Sequence, residues 1–161
     1  MKVPEESKHL YATLGRVPSG LFVLTVSRGD IETGMLASWV QQCSFEPPLV
    51  SVALQRGREV AGLLTADAIF TLNILDDSQT DMIAHFGKAP AQGEPIFNGL
   101  EVLRGEGGGP VLSEALGFFN CKVTGKFPAG DHELVIAQVV GGRLLNEGHP
   151  MVHIRKSAAH Y

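Results

Sequence analysis

The chain has 161 residues, of which 44% are hydrophobic and 19% charged, a composition typical of a globular protein. Its formal net charge of −4 argues against a general role in binding nucleic acid or a membrane surface. The 19 glycines and 9 prolines lie mostly between apolar runs, a pattern that favours many short strands over long helices. We expect a single domain over residues 1–161.

Hydrophobic patterning along the chain predicts a mostly β protein. In chain order, it predicts a helix over 7–14, strands over 20–27, 34–45 and 49–55, a helix over 58–67, a strand over 69–75, a helix over 77–87, a strand over 117–127, a strand hairpin over 132–145 and a final strand over 150–156. Ser7 is placed to cap the first helix, and Ser78 begins a capping-box-like pattern at the third. Because the strands do not alternate regularly with helices, a closed or partly open antiparallel barrel fits better than a parallel sheet.

The two cysteines, Cys43 and Cys121, stand far apart in sequence and form no Cys-x-x-Cys motif. Both lie in apolar runs, so we expect buried free thiols and predict neither a disulfide nor a metal site. The N-terminal segment lacks the apolar core of a signal peptide, and no apolar run approaches membrane-spanning length. These observations predict a cytoplasmic protein in a reducing compartment.

Two further motifs carry little functional signal. The segment GEGGGP at 105–110 does not open a helix after a strand, so it is interpreted as a plain flexible loop and not as a nucleotide-binding loop. His149 and His153 share one face of a strand, but no carboxylate stands at ligand spacing. A surface or ligand-rim role is therefore favoured over a metal site.

Polar groups at the ends of two strands are candidates for ligand binding. Arg56 and Arg58 flank Gly57 where a strand turns into a helix, a favourable place for an anion, the alternative being a solvated face. His132 follows Gly130-Asp131 at the start of a strand. Such a histidine is either a structural residue bonded to the neighbouring acid or a residue that faces a ligand. The residues alone leave both alternatives open.

These pieces occur in an order that resembles the flavin reductase-like, FMN-binding split-barrel family. The matching segments are GMLASWVQQCSFEPPLVSVALQRGR, FTLNIL, MIAHFGK and GDHELVIAQV, within a region from Leu14 to Tyr161. The segment GMLASW and the ending VHIRKSAAHY are similar to the C-terminal flavin reductase module of diflavin flavoproteins. The resemblance implies a mostly β fold, a six- to seven-stranded antiparallel Greek-key split barrel with two or three short helices.

The resemblance also implies a cofactor site. FMN, or sometimes FAD, is expected at a dimer interface beside the barrel, which makes the protein a homodimer. The residues expected along the isoalloxazine ring are Met35, Leu36, Ala37, Ser38 and Trp39. Those expected to hold the phosphate are Ser44, Arg56 and Arg58, and those expected to close over the cofactor are Phe86, Gly87 and Lys88. Many members have Thr-Ala-Ser-Ser or Thr-Ala-Asn where this chain has Leu36-Ala37-Ser38-Trp39, so a side-chain hydroxyl contact from position 36 is absent. Core filling is an equally compatible role for Trp39.

By the same resemblance, His132 is the candidate catalytic residue, since the family's Gly-Asp-His histidine borders the pocket where nicotinamide docks. Asp131 is placed to orient it. The implied function is that of an NAD(P)H-dependent flavin oxidoreductase that passes electrons to free flavin or to a redox partner protein. One alternative is a flavoredoxin-like carrier that keeps FMN bound and takes electrons from a protein. Another is a non-catalytic module that stores or senses flavin or heme.

Overall fold

The structure, a computed structural model, describes residues 2–160 and consists mainly of strands. Its helical elements are a 3-10 turn at Glu5–Ser7, α1 (Lys8–Leu14), α2 (Glu59–Leu63) and α3 (Asp81–Gly87). Its strands are β1 (Ser19–Gly20), β2 (Phe22–Arg28), β3 (Ile31–Ala37), β4 (Val40–Ser44), β5 (Leu49–Gln55), β6 (Ile69–Ile74), β7 (Val102–Leu103), β8 (Val111–Leu112), β9 (Gly117–Ala129), β10 (His132–Leu144) and β11 (Val152–His153). Within the described range, no helix has the length and apolar character needed to cross a membrane.

Seven strands form one antiparallel sheet in the order β3-β2-β6-β9-β10-β5-β4. β3 and β4 lie at its two edges, although only Ser38 and Trp39 separate them along the chain. The two edges therefore come together at this link, and the sheet rolls into a barrel whose edges are not joined by ladder hydrogen bonds. This architecture confirms the predicted mostly β, antiparallel split barrel with three short helices.

The run predicted as one strand over 34–45 is two strands on opposite edges of the sheet. β3 pairs with β2, whereas β4 pairs with β5 through Val40 and Val52. The carbonyl of Trp39 accepts a hydrogen bond from the Ala53 N–H at 3.0 Å, which fixes the start of the second strand. Strand propensity is continuous through this segment, so local pattern alone does not show that the chain changes pairing partner.

β9 and β10 form the longest hairpin of the molecule. They are joined by Gly130 and Asp131, a two-residue turn in which Gly130 adopts a φ of +63°. The segment 132–145, predicted as a hairpin in itself, is instead one strand paired with β9 on one side and β5 on the other. This pairing places His132 opposite Gln55, at the end of β5.

The helices are shorter than the sequence pattern predicts. α2 covers 59–63 and not 58–67, because the chain turns at 65–67 to enter β6, with Asp67 at a φ of +63°. α3 begins at Asp81, and Thr80 stands at its N-cap position. Ser78 does not cap it, since its Oγ donates to the carboxylate of Asp76, as does its backbone N–H at 2.9 Å.

The glycine-rich segment at 105–110 is a loop, as predicted, but its second half is packed against the sheet. Gly109 and Pro110 are buried, and the Pro110 carbonyl accepts a hydrogen bond from Thr25 Oγ1 at 2.7 Å. A Cβ on Gly109 would lie 2.3 Å from the backbone carbon of Thr25. Glycine is required here because the two backbones approach closely, and composition alone does not distinguish this situation from flexibility.

The two cysteines lie in different environments. Cys121 belongs to the core inside the barrel, and burial raises the pKa of its thiol to about 12. Cys43 is exposed, so its prediction as a buried thiol is wrong. It lies on edge strand β4, where Gln41 and Gln42 are exposed as well, because none of the described residues covers this part of the strand.

Candidate functional site

A groove runs along the outer edge of β3. Two cavities, of about 380 and 260 Å³, meet there and share Gly34, Ala89 and Pro90 in their walls. The first is also lined by Met35 and Arg58, and the second by Phe86 and Lys88. We call this feature the β3 groove. Three chain segments distant in sequence contribute to it: β3, the turn before α2, and the end of α3 with the residues that follow.

The backbone of β3 faces the groove with unused hydrogen-bonding groups. β3 pairs only with β2, and the other backbone hydrogen bonds of the described residues do not involve residues 31–37. Alternate N–H and C=O groups along its outer edge are therefore open to a ligand. They offer the complementary donors and acceptors that a planar heterocycle with amide-like edges requires.

Two cations beside the groove have no ionic partner among residues 2–160. Neither Arg58 nor Lys88 forms a side-chain hydrogen bond or ion pair with any residue in the described part of the chain. Elsewhere Arg104 pairs with Glu32 at 2.7 Å and Arg143 with Glu106 at 2.9 Å. Glu59 and Glu94 also line the two cavities, but neither forms a salt bridge with Arg58 or Lys88. Two cations without a bonded carboxylate, next to open backbone groups, suit an anionic, polar ligand such as a phosphate ester.

Gly57 lets the turn between β5 and α2 present both arginines. Its φ of +83° lies in the left-handed region, which a residue with a side chain rarely adopts. Arg58 follows at the N-cap of α2 and is half-buried against the groove. Arg56 is exposed, and its backbone N–H donates to the carbonyl of Asp131 at 3.1 Å. The turn therefore connects the β3 groove with the start of β10.

Several of the residues predicted to contact a cofactor belong to the packed core behind the groove. Phe86 is only 1% exposed and belongs to the apolar cluster beneath α3. Leu36 packs against the same cluster and lies close to Gly87. A Cβ placed on Gly87 would be 4.0 Å from Leu36 Cδ2. Met35 and Ala37 are buried in the barrel core. These side chains shape the floor of the groove, so in this part it is mainly backbone that is open to a ligand.

Ser44 stands apart from the two arginines within one protomer. It pairs with Leu49 at the beginning of β5, whereas Arg56 follows Gln55 at the end of that strand. Six residues of extended chain separate these ends by about 20 Å. A single protomer therefore does not bring Ser44 and the arginines to one phosphate group.

A second cluster lies at the link between β3 and β4. The rings of Trp39 and His132 pack with their centroids 4.8 Å apart and an angle of 43° between their planes. The guanidinium carbon of Arg155 lies 5.1 Å from the centroid of the Trp39 ring. His132 Nδ1 lies 2.6 Å from the Asp131 carboxylate. We call Asp131, His132, Trp39 and Arg155 the ring stack.

The ring stack has a defined charge arrangement. His132 is 7% exposed, whereas the Asp131 side chain is 86% exposed. The hydrogen bond from His132 is the main cause that holds the pKa of the Asp131 carboxyl below its ordinary value, and the charge of Arg56 adds to it. An imidazole whose Nδ1 is bonded to a carboxylate has a fixed ring orientation. Asp131 thus orients His132, as the sequence predicted for a functional or a structural histidine alike.

Arg155 belongs to the ring stack, although the sequence did not predict it as a site residue. Its signal in the sequence is the small positive cluster HIRKS at 153–157, which has the same appearance as an ordinary solvated surface.

The two histidines that share a predicted strand face do not form a metal site. The His149 backbone N–H donates to Asp76, and His153 lies on β11. Across residues 2–160, no three histidine, cysteine or acidic side chains are grouped so as to hold a metal ion.

Comparisons with known proteins agree on one family. The model of the flavin reductase like domain matches residues 14–160. Diflavin flavoprotein A 1 of Synechocystis sp. is 35% identical over 154 residues, which cover 94% of this chain and 27% of that protein. The chain thus spans about a quarter of the length of the curated relatives it matches.

Solved structures show the same fold. The NADH:FAD oxidoreductase SgcE6 of Streptomyces globisporus superposes with a TM-score of 0.84 at 24% identity, covering 96% of this chain and 93% of the other. The styrene monooxygenase flavin reductase of Pseudomonas putida S12 superposes with a TM-score of 0.76 at 27% identity, covering 89% of this chain and 90% of the other.

Proposed function

The chain belongs to the flavin reductase-like domain family, and we propose that it is an NAD(P)H-dependent flavin oxidoreductase that binds FMN and delivers electrons to free flavin or to a partner protein. The observation that carries this proposal is the β3 groove, where an unpaired strand edge stands beside Arg58 and Lys88. FMN has the two matching features, a planar ring with a polar pyrimidine edge and an anionic phosphate.

Each part of the groove has a role in holding FMN. The outer N–H and C=O groups of β3 pair with the pyrimidine edge of the ring, and Arg58 binds the phosphate. Lys88 places a positive charge over the groove, which favours negative charge on the ring system. When bound, the flavin supplies the two-electron chemistry, while the protein supplies binding and orientation. FAD is tested beside FMN, because the groove continues past Thr33 toward Arg104 in a further cavity of about 400 Å³ that offers room for a larger flavin.

The electron donor is a pyridine nucleotide that docks against the ring stack. Trp39 and His132 form a tilted pair of aromatic rings, and the backbone N–H of Arg56 contacts the carbonyl of Asp131 in the same region. His132 positions the donor by hydrogen bonding, and Asp131 keeps its ring oriented. Two free cysteines suit the reducing cytoplasm in which we place the protein.

The proposed assembly is a homodimer. Phe45 is 90% exposed at the tip between β4 and β5, and Val140 is exposed on the adjacent strand. The strand that carries Val140 runs beside this tip, since the Val139 N–H donates to the carbonyl of Pro48 at 2.9 Å. Exposed apolar side chains of this size favour contact with a second copy. A partner would also explain why Ser44 lies far from the arginines of its own chain.

Purified protein provides the test. We expect it to bind FMN more tightly than riboflavin and to oxidise NADH or NADPH when FMN or FAD is added. The absorbance of bound flavin and the loss of nicotinamide absorbance are the measurements. Protein that binds flavin but oxidises neither donor would support the carrier or storage alternatives. Protein that binds no flavin would contradict the proposal altogether.

A further inference from the structure

Arg155 is held over Trp39 by a fixed segment of backbone. Its N–H donates to the Gly15 carbonyl at 3.1 Å, and the Ala158 N–H donates to the Tyr11 carbonyl at 2.8 Å. A Cβ on Gly15 would lie 2.7 Å from the Arg155 carbonyl oxygen, so α1 and this segment are in close contact. The pairing of His153 with Ser19 fixes the segment on its other side.

The charge of Arg155 is not compensated within the described residues. No carboxylate of residues 2–160 lies within 4.0 Å of its guanidinium, and its side chain makes no hydrogen bond there. It is half-buried over the ring of Trp39. A guanidinium at this distance from an indole ring is attracted by the ring while its N–H edges stay available to an anion.

The surroundings of Arg155 select the kind of anion. The half-buried Trp39 ring lies directly beneath the guanidinium, Arg56 adds a second cation by the Asp131 turn, and Asp131 is already engaged by His132. A ligand that combines a flat ring with a nearby phosphate matches this arrangement. A dihydronicotinamide nucleotide has both features, since its pyrophosphate is connected to the nicotinamide through one ribose.

We propose that Arg155 is a specificity-determining residue that binds a phosphate group of the pyridine nucleotide donor, on the basis of the proposed function. The guanidinium donates two parallel N–H bonds to phosphate oxygens, while Trp39 holds its plane. Arg155 thereby favours NADH and NADPH over dihydronicotinamides that lack phosphate. It contributes to donor binding and not to the hydride transfer itself.

The test compares donors with and without phosphate. In Arg155→Ala, the KM for the better of NADH and NADPH is expected to rise by about 10- to 100-fold, the factor for one charge-assisted hydrogen bond, while kcat changes little. Turnover of 1-benzyl-1,4-dihydronicotinamide, which has no phosphate, should stay within a factor of two of the native rate. The KM of Arg155→Lys should fall between those of Arg155→Ala and the native protein. A lysine keeps the positive charge but cannot donate two parallel hydrogen bonds to a phosphate.

Lys156→Ala is the matched control, because Lys156 is the next residue of the same segment and is exposed. Its KM values should equal those of the native protein. An equal loss with phosphate-bearing and phosphate-free donors in Arg155→Ala would mean that Arg155 only supports the fold, and an unchanged KM would also overturn the proposal.

Direct binding separates this proposal from the proposed function. NAD⁺ and NADP⁺ are titrated calorimetrically into the FMN-loaded native and Arg155→Ala proteins, which requires no turnover. Weaker binding to the variant supports the role of Arg155 even if the native protein oxidises neither donor. Equal affinity, or no binding to either protein, contradicts it. The melting temperature of each variant shows whether the fold is intact.

Discussion

His132 and Trp39 pack ring against ring with centroids 4.8 Å apart, so the first residue of β10 and the link between the two sheet edges form one unit. Asp131 fixes the imidazole from one side through a 2.6 Å hydrogen bond. The histidine is buried in the protomer, and the unit therefore has a structural contribution in addition to the donor-binding role proposed for it.

The His132→Ala variant separates these two contributions. We expect kcat/KM for the pyridine nucleotide to fall by roughly tenfold or more, because one good hydrogen bond to the donor is lost. The free energy of unfolding should fall by about 1–3 kcal/mol, since a buried ring and its hydrogen bond are removed. FMN affinity and reduction by dithionite should stay nearly unchanged. Steady-state kinetics, denaturant unfolding and flavin titration are the measurements.

Trp39→Phe is the control for this variant, because it keeps an aromatic ring against His132. If an excess of FMN restores full NAD(P)H turnover to His132→Ala, the deficit arose from flavin loss. The donor-binding role would then be wrong, and His132 would be a buried residue at the start of a strand.

Arg58→Ala tests phosphate binding in the β3 groove. Because Arg58 has no ionic partner among the described residues, its removal disrupts no salt bridge of the fold. We expect FMN affinity to fall by about 1–3 kcal/mol while riboflavin affinity changes little. Fluorescence titration of both flavins measures the difference. Arg143→Ala is the control, since Arg143 pairs with Glu106 elsewhere. Equal losses for FMN and riboflavin would show that Arg58 does not contact the phosphate.

The two thiols should react at very different rates. In native protein near pH 8, a thiol reagent should modify exposed Cys43 within minutes, whereas Cys121 stays protected by burial. The pKa of Cys121 is about 12 when folded, above the roughly 8.5 of an unfolded cysteine. Because the folded state favours the protonated thiol of Cys121, its ionisation destabilises the fold. The folded state keeps its full stability below about pH 8 and loses stability as the pH rises toward 12. The Cys43→Ser variant is the control, because Cys121 is its only thiol. A fast reaction of that variant under native conditions would contradict the burial of Cys121.

Phe45→Ser should weaken the homodimer. Removing an aromatic ring that is 90% exposed in the protomer has little effect on folding, but it removes apolar area from the proposed interface. Light scattering after size exclusion should show a shift toward monomer in Phe45→Ser at micromolar concentration. Leu10→Ser, on the exposed side of α1, should remain dimeric. A native protein that is monomeric when saturated with FMN would contradict the assembly.

Local patterns in the sequence predicted the main elements because alternation and turn residues report directly on strands and their ends. The strands at 49–55, 69–75 and 117–127 correspond closely to β5, β6 and β9. The boundary inside 34–45 was not predictable, because it depends on which distant strand each half meets. The exposure of Cys43 has the same origin, since edge position is a property of the whole sheet.

The candidate site was predictable to the extent that a motif carried it. The Gly-Asp-His turn made His132 a candidate, and its donor-binding role stays a prediction. The arginines around Gly57 pointed to a turn that contacts the residue before β10. Arg155 escaped prediction because its neighbour Trp39 lies more than a hundred residues earlier. Ser44 was grouped with the arginines on sequence resemblance, but the length of β5 keeps them apart in one chain.

The link at Ser38 and Trp39 has a mechanical consequence. Because two residues tether the free edges of the barrel to each other, neither edge can shift without the other, and Trp39 must follow both. Flavin seated on β3 should therefore slow amide hydrogen exchange in β4 as well, although no residue of β4 lines the groove. We therefore expect occupancy of β3 to be transmitted along the backbone to Trp39, beside the proposed donor site.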